Sequence, residues 1–262
     1  MSQSALFPVY SLLKDNLRTQ VFTDRRQLGL AACEDFAGKL RALLAIGRSA
    51  RVVFAAAPSQ NEFLDALAAA PGIDWSRVTA FHLDEYLGLP VEAPQRFGRY
   101  LNERLFDKVK PGRVHLLNPC EDAEKEALRY EDLLREAPID IVCLGIGANG
   151  HLAFNDPSAA DFDDPRWVKV VELDADFRMQ QVNDGCFGSL ARVPTHALTM
   201  TIPALMSAMH LVCIVPGRHK REAVLRAVHG PIEEAFPASA LRRHESCALY
   251  ADMDSYGYKR TD

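Results

Sequence analysis

Apolar residues recur at Leu28, Ala31, Ala32, Phe36, Leu40, Leu43 and Leu44, close to the helical period and behind a Thr23-Asp24 cap. This spacing predicts a first helix that ends near Gly47. Residues 51–57 then read as a buried strand, Pro58-Ser59 breaks it, and 61–69 read as a helix. The same alternation continues with a strand over 78–83, helices over 95–109 and 121–135, and the most apolar strand of the chain over 139–145. Strands over 168–173, 197–202 and 210–215, a helix near 218–229 and a last strand over 246–251 complete the pattern.

A strand that is apolar throughout is covered on both faces, which is the condition of a parallel sheet between two layers of helices. The expected fold is therefore α/β: a three-layer α/β/α, Rossmann-like domain with a mostly parallel central sheet. No repeat, low-complexity tract or Pro/Gly/Ser linker divides the chain, so a single domain over 1–262 is expected. Asp161-Phe162-Asp163-Asp164-Pro165 reads as a solvated loop inside it, and the length of 157–196 invites a lid. In open sheets of this kind ligands bind beyond the carboxyl ends of the strands, which directs attention to the residues that follow each strand.

Composition narrows the partner. Against 30 Lys and Arg stand 35 Asp and Glu, giving a formal charge of −5, with 48% hydrophobic and 25% charged residues. That balance excludes disorder, collagen and coiled coil for the whole chain. It also lacks the positive field of a nucleic-acid or anionic-membrane binder, so a small-molecule partner is expected, with no nucleic acid and no membrane. Cys33, Cys120, Cys143, Cys186, Cys213 and Cys247 are widely spaced, without CxxC or zinc-ligand spacing, and several lie inside apolar runs. Reduced core thiols, no metal and a cytoplasmic setting are expected. Lys14, Asp15 and Arg18 interrupt the first twenty residues, so no signal peptide is expected, and no apolar run approaches the roughly 20 residues of a membrane helix.

Three segments carry chemistry. The strand over 78–83 runs into His82-Leu83-Asp84-Glu85-Tyr86, which places two adjacent carboxylates at a strand end. Either Asp84 or Glu85 is a candidate general base, and either could instead cap a turn before Gly88-Leu89-Pro90. The strand over 139–145 runs into Gly145, Gly147 and Gly150, which formally satisfy G-x-G-x-x-G. A dinucleotide site needs these glycines to open a long helix, and Pro157 and Pro165 leave room for barely two turns. The glycines serve better to let backbone approach a small ligand. His151 follows them, with Asp156 five residues on to orient an imidazole that titrates near neutral pH.

For an anion there are several candidates. Ser59-Gln60-Asn61-Glu62 opens a helix after a strand, where free N–H groups attract phosphate, although Ser59 and Glu62 also fit a capping box. Arg178 and the Gly217-Arg218-His219-Lys220-Arg221 cluster supply cations, with Lys220 able to reach a phosphate. No G-x-S-x-G is present, which argues against a covalent acyl intermediate.

Three stretches carry a resemblance. They are Phe81-His82-Leu83-Asp84-Glu85-Tyr86-Leu87-Gly88-Leu89-Pro90, then Leu144-Gly145-Ile146-Gly147 with Gly150-His151-Leu152-Ala153-Phe154-Asn155-Asp156-Pro157, then Ala197-Leu198-Thr199-Met200-Thr201. Over about 24–252 the chain resembles the glucosamine-6-phosphate deaminase/isomerase family, in the superfamily that also holds 6-phosphogluconolactonases. The resemblance implies a Rossmann-like fold and conversion of an amino-sugar 6-phosphate plus water to a ketose 6-phosphate and ammonia, with no metal or organic cofactor. It implies that Asp84 shuttles a proton between C2 and C1, that His151 acts in ring opening, and that Asp156 supports the histidine. Arg178 and Lys220 match phosphate-binding cations. The expected site is then Asp84, His151, Asp156 and Asn149 for catalysis, with Ser59, Gln60, Glu85, Gly147, Gly150, Arg178 and Lys220 for substrate.

The sequence departs from the family at three places. Asn149 stands where the deaminases carry an aspartate, and an amide hydrogen-bonds without offsetting imidazolium charge. Ala57-Pro58-Ser59-Gln60-Asn61 replaces a Gly/Thr-rich phosphate loop. Asp156 replaces a glutamate and shortens the reach by one methylene. A sugar lactonase using its histidine to activate water, and a sugar-phosphate-binding regulator without turnover, are the alternatives. Family members differ in assembly, and a homo-oligomer stays open.

Overall fold

The computed structural model describes residues 6–118, 122–183 and 185–259. Its strands are β1 (Tyr10–Lys14), β2 (Leu17–Phe22), β3 (Ala50–Phe54), β4 (Val78–His82), β5 (Asp84–Tyr86), β6 (Arg113–Val114), β7 (Ile141–Leu144), β8 (Val168–Glu172), β9 (His196–Met200), β10 (His210–Val215) and β11 (Cys247–Asp252). Its α-helices are α1 (Arg25–Ala45), α2 (Asn61–Ala68), α3 (Phe97–Leu101), α4 (Asp107–Val109), α5 (Ala123–Arg135), α6 (Ala175–Asn183), α7 (Ile202–Met206), α8 (Arg221–His229) and α9 (Met253–Tyr256).

Eight strands form the main sheet in the order β1-β2-β11-β10-β7-β3-β4-β6, parallel from β2 to β6. Its central strands show why alternation was missing from the sequence. Val142 and Leu144 of β7 pack with α5, α7 and α8 on one side, while Ile141 and Cys143 pack with α1 and α2 on the other. In β10, Leu211, Cys213 and Val215 face the first layer and Val212 and Ile214 the second. Every side chain of such a strand is taken out of water, at about 25 cal/mol for each Å² of apolar surface. The fold is the expected α/β/α arrangement with a mostly parallel central sheet. Asp24 caps α1 as its spacing predicted, its carboxylate accepting from Gln27 N at 2.9 Å.

Several elements depart from the sequence reading. The predicted strands at 168–173 and 197–202 do not join the parallel sheet; β8 and β9 pair antiparallel with β5 in a second, three-stranded sheet. The segment 157–196 is consequently not a loop, since it carries β8 and α6. An antiparallel hairpin, β1–β2, extends the main sheet at its β11 edge, turning at Asp15 with φ 52°. The helix predicted over 95–109 is α3 and α4 joined by a π-helical turn, Asn102–Phe106. Within the Asp161–Asp164 stretch, Asp164 is paired with Lys169 at 2.8 Å rather than solvated. Cys120 and the predicted helix start at Glu121 lie outside the described residues.

After β3 the chain moves outward to β4, whereas β7 returns to the opposite side of β3. The carboxyl ends of β3, β7 and β10 thus surround the point where strand order reverses, and a crevice opens there. Only Leu83 separates β4 from β5. Its N–H donates to the Phe54 carbonyl beside β4, and its carbonyl accepts from Met200 N in the small sheet.

Candidate active site

A narrow chamber of about 180 Å³ lies at that reversal, lined by the ends of four strands: Ala55–Ser59 after β3, Leu83 and Asp84 after β4, Gly145–Gly147 after β7, and Lys220 after β10. A wider outer chamber of about 620 Å³ shares Ser59, His151, Phe177, Gln181 and Lys220 with it and adds Arg25 and His219. Acids and bases meet cations here in a wall that is otherwise apolar, the setting in which titration is most readily displaced.

Asp84 opens β5 and lines the inner chamber. Burial, with the neighbouring Glu85 charge adding to it, pushes its carboxyl up to about 8. Strand alternation turns Glu85 the other way. Glu85 is fully buried, accepting from Tyr86 N, Phe97 N and Gly98 N at 3.0–3.1 Å and facing the Arg96 guanidinium at 3.3 Å. It anchors the first turn of α3 and does not line the chamber, so the substrate-contact role expected of it is corrected. His82, just before Asp84, is also fully buried and is driven down to about 3 by burial and by Arg96, so it stays neutral. Its Nε2 accepts from Leu117 N at 2.8 Å, a structural bond.

His151 comes from the turn after β7. Gly147 N donates to the His151 carbonyl at 2.9 Å, and the turn folds the imidazole back over Gly147. A Cβ on Gly147 would stand 2.2–2.3 Å from three atoms of the ring, so a glycine is required there. Nδ1 of His151 lies 2.8 Å from Asn149 Oδ1 and 3.1 Å from Asp156 Oδ1, and Asn149 Nδ2 donates to the same Asp156 oxygen at 2.7 Å. Burial raises the Asp156 carboxyl, and the bonds from His151 and Asn149 outweigh it, leaving Asp156 below the usual carboxylate range. The imidazole is thereby held from behind by an anion, and Nε2 is the nitrogen left for the chamber.

Other expected contacts are placed elsewhere. Gly150 has φ +89°, and a Cβ on it would meet the Phe236 ring at 2.3 Å, so it serves the turn and its packing and does not line the chamber. Arg178 donates to the carbonyls of Leu190 and Val193 at 3.1 and 3.0 Å. Phe177 and Gln181, four residues apart on α6, face the chamber, and Arg178 is turned about 100° away from them on the helix. It braces the segment before β9 and is corrected as a chamber-lining cation. Gln60 is fully buried behind Ser59. The capping box is also absent: α2 has no side-chain cap, and Glu62 instead pairs with Arg25 at 2.6 Å. Arg25 further holds the Pro58 carbonyl at 2.9 Å, fixing the loop that carries Ser59.

Sequence reasoning missed Phe177, Gln181 and Arg25. The first two sit in a helix without a strong apolar stripe, and Arg25 reaches the site only because α1 starts beside the β3 loop. His219 lay within a cationic cluster that was already marked. Among the described residues no group of three or more His, Cys, Asp or Glu is arranged to hold a metal ion.

Comparison with known proteins agrees with this geometry. The family model of glucosamine-6-phosphate isomerases/6-phosphogluconolactonase matches residues 23–250. Glucosamine-6-phosphate deaminase 1 of Giardia intestinalis is 41% identical over 189 residues, covering 70% of this chain and 69% of its own. The glucosamine-6-phosphate deaminase of Halalkalibacterium halodurans is 35% identical over 188 residues, covering 70% and 74%. The solved structure of a monomeric glucosamine-6-phosphate deaminase superposes with a TM-score of 0.84 at 30% identity, over 92% of this chain and 99% of that one. A 6-phosphogluconolactonase from Thermotoga maritima shares the fold with a TM-score of 0.74 at 21% identity, over 90% and 99%. The chain belongs to the family of glucosamine-6-phosphate isomerases and 6-phosphogluconolactonases.

Proposed function

We propose that this protein is an enzyme that isomerises and deaminates an amino-sugar 6-phosphate, releasing a ketose 6-phosphate and ammonia. The observation that carries the reading is the convergence of Asp84 and His151 on one chamber, with Ser59 and Lys220 at its edge. Asp84 takes the proton from C2 and returns it to C1; a carboxylate held near 8 is a stronger base than an ordinary one by several powers of ten. His151, steadied at Nδ1 by Asp156 and Asn149, exchanges a proton at Nε2 with the ring or anomeric oxygen during opening. Water then releases ammonia from the imine that the proton transfer leaves at C2. The Lys220 ammonium and the Ser59 hydroxyl receive the phosphate.

Relatives named as deaminases at 35–41% identity support this reading over a lactonase, since the lactonase structures are similar at the level of fold. Free thiols at all five described cysteines, four of them buried, favour a reducing, cytoplasmic setting. Among the described residues no helix is long and apolar enough to cross a membrane.

The test is ammonia release from glucosamine 6-phosphate and galactosamine 6-phosphate, with the unphosphorylated sugars and the Asp84→Asn and His151→Ala variants beside them. Release confined to phosphorylated sugars and lost in both variants is expected. Lactone hydrolysis without ammonia from any amino sugar would sink the proposal.

A further inference from the structure

The side chain of Gln60 is fully buried, one layer behind the chamber wall. Its Nε2 donates to Ser59 Oγ at 3.1 Å and to the Ile214 carbonyl at 3.3 Å, so both amide protons are engaged. Its Oε1 is buried with no hydrogen-bond partner among the described residues. A buried carbonyl left in that state is destabilising, and an apolar side chain of the same size would avoid it. What such a side chain could not supply is the two N–H donors. Turning the amide over would set Oε1 against the Ile214 carbonyl oxygen, so the surroundings fix which end is the donor.

Ser59 Oγ accepts from Gln60, and among the described residues it donates to no protein group. A hydroxyl has one proton, and that proton cannot point at the N–H that approaches it. It is turned instead toward the remaining directions, and Ser59 lines both chambers beside Lys220. Gly145 keeps the arrangement open: a Cβ there would stand 3.3 Å from both Gln60 Nε2 and the Ile214 oxygen, and 3.5 Å from Ser59 Oγ.

From this we infer that Gln60 is a positioning residue that holds the Ser59 hydroxyl as a donor aimed into the chamber, toward an oxygen of a phosphate monoester. It thereby contributes to the preference for a phosphorylated sugar over a free one. The inference rests on the proposed seat of the anion at Ser59 and Lys220.

The probe is inorganic phosphate, its dissociation constant read by calorimetry for the unaltered protein, Ser59→Ala, Gln60→Met and the double variant. KM and kcat for the amino-sugar 6-phosphate and a thermal melt accompany each. Each single variant should weaken phosphate by about tenfold, the scale of one hydrogen bond to a charged group, and the double variant by little more than either. KM should move far more than kcat. Phosphate affinity kept in Gln60→Met but lost in Ser59→Ala overturns the role of Gln60 and leaves the anion seat standing. Affinity kept in Ser59→Ala overturns the anion seat itself, and this inference with it. Fully additive losses overturn it as well, because a residue that acts only through Ser59 has nothing to do once Ser59 is gone. If Gln60→Met does not fold, Gln60→Glu keeps the shape and replaces the donor by an acceptor, which draws the Ser59 proton inward; unchanged phosphate affinity there again refutes the proposal.

Discussion

Replacing Asp84 by Asn should abolish turnover and make the protein more stable, increasingly so as pH rises. Burial and the Glu85 charge lift the Asp84 carboxyl from its ordinary 3.8 to about 8 in the folded chain. The folded state therefore binds a proton that the unfolded state has already lost between those values. Stability from this group is complete below the unfolded value and is lost as pH climbs toward the folded one. The upper limit of the loss is about 1.4 kcal/mol for each pH unit in that window. Asp84 faces an open chamber, and water there screens its charge, so about half of that limit is retained, on the order of 2 kcal/mol between pH 5 and 8. Asn has no such dependence. At about 2–4 °C per kcal/mol for a chain of this size, Asp84→Asn should melt about 4–8 °C higher, relative to the unaltered protein, at pH 8 than the pH 5 comparison gives. Thermal melts of both proteins, scanned from pH 5 to 9, measure this directly. A melting difference that does not change with pH, or that shrinks as pH rises, would refute the reasoning, since a carboxyl already ionised at pH 5 carries no buried-charge penalty.

Further outcomes follow from the same geometry. The rate constant kcat/KM should rise with pH through the raised Asp84 value, because the base must be deprotonated, and a profile already level at pH 5 would show that another group sets the limb. Asp156→Asn removes the anion 3.1 Å from His151 Nδ1 and should lower kcat by about 10–100-fold, with KM little changed; equal activity would mean that Asn149 suffices to orient the ring. Gly147→Ala places a methyl group where the imidazole stands and should reduce kcat about as far as His151→Ala does while the fold persists by circular dichroism; retained activity would show that the ring can be seated otherwise.

The sequence was informative where one residue's environment is local. Apolar strands revealed the buried sheet, Asp24 its helix cap, and the order of glycines before His151 the turn that seats it. It was uninformative where two distant segments must meet. β5 is three residues long and becomes a strand only by pairing with β9, more than a hundred positions away, so Asp84-Glu85-Tyr86 read as a turn. That pairing also decides which of two adjacent carboxylates faces the chamber. Neighbours on a strand point to opposite sides, so one of the pair had to turn inward, and only the register selects Asp84. Arg178 failed for a related reason: a helix can carry a cation into the right neighbourhood and still aim it at backbone carbonyls.

The single residue between β4 and β5 has a mechanical consequence. Leu83 is tied through its N–H to the large sheet and through its carbonyl to the small one, which makes it the pivot of any rocking between them. Displacement grows with distance from a pivot. Asp84, the next residue, would scarcely move, whereas Phe177 and Gln181, carried on α6 beyond the far strand of the small sheet, ride at the end of the lever. The mouth of the chamber can thus change its aperture while the proposed base keeps its aim.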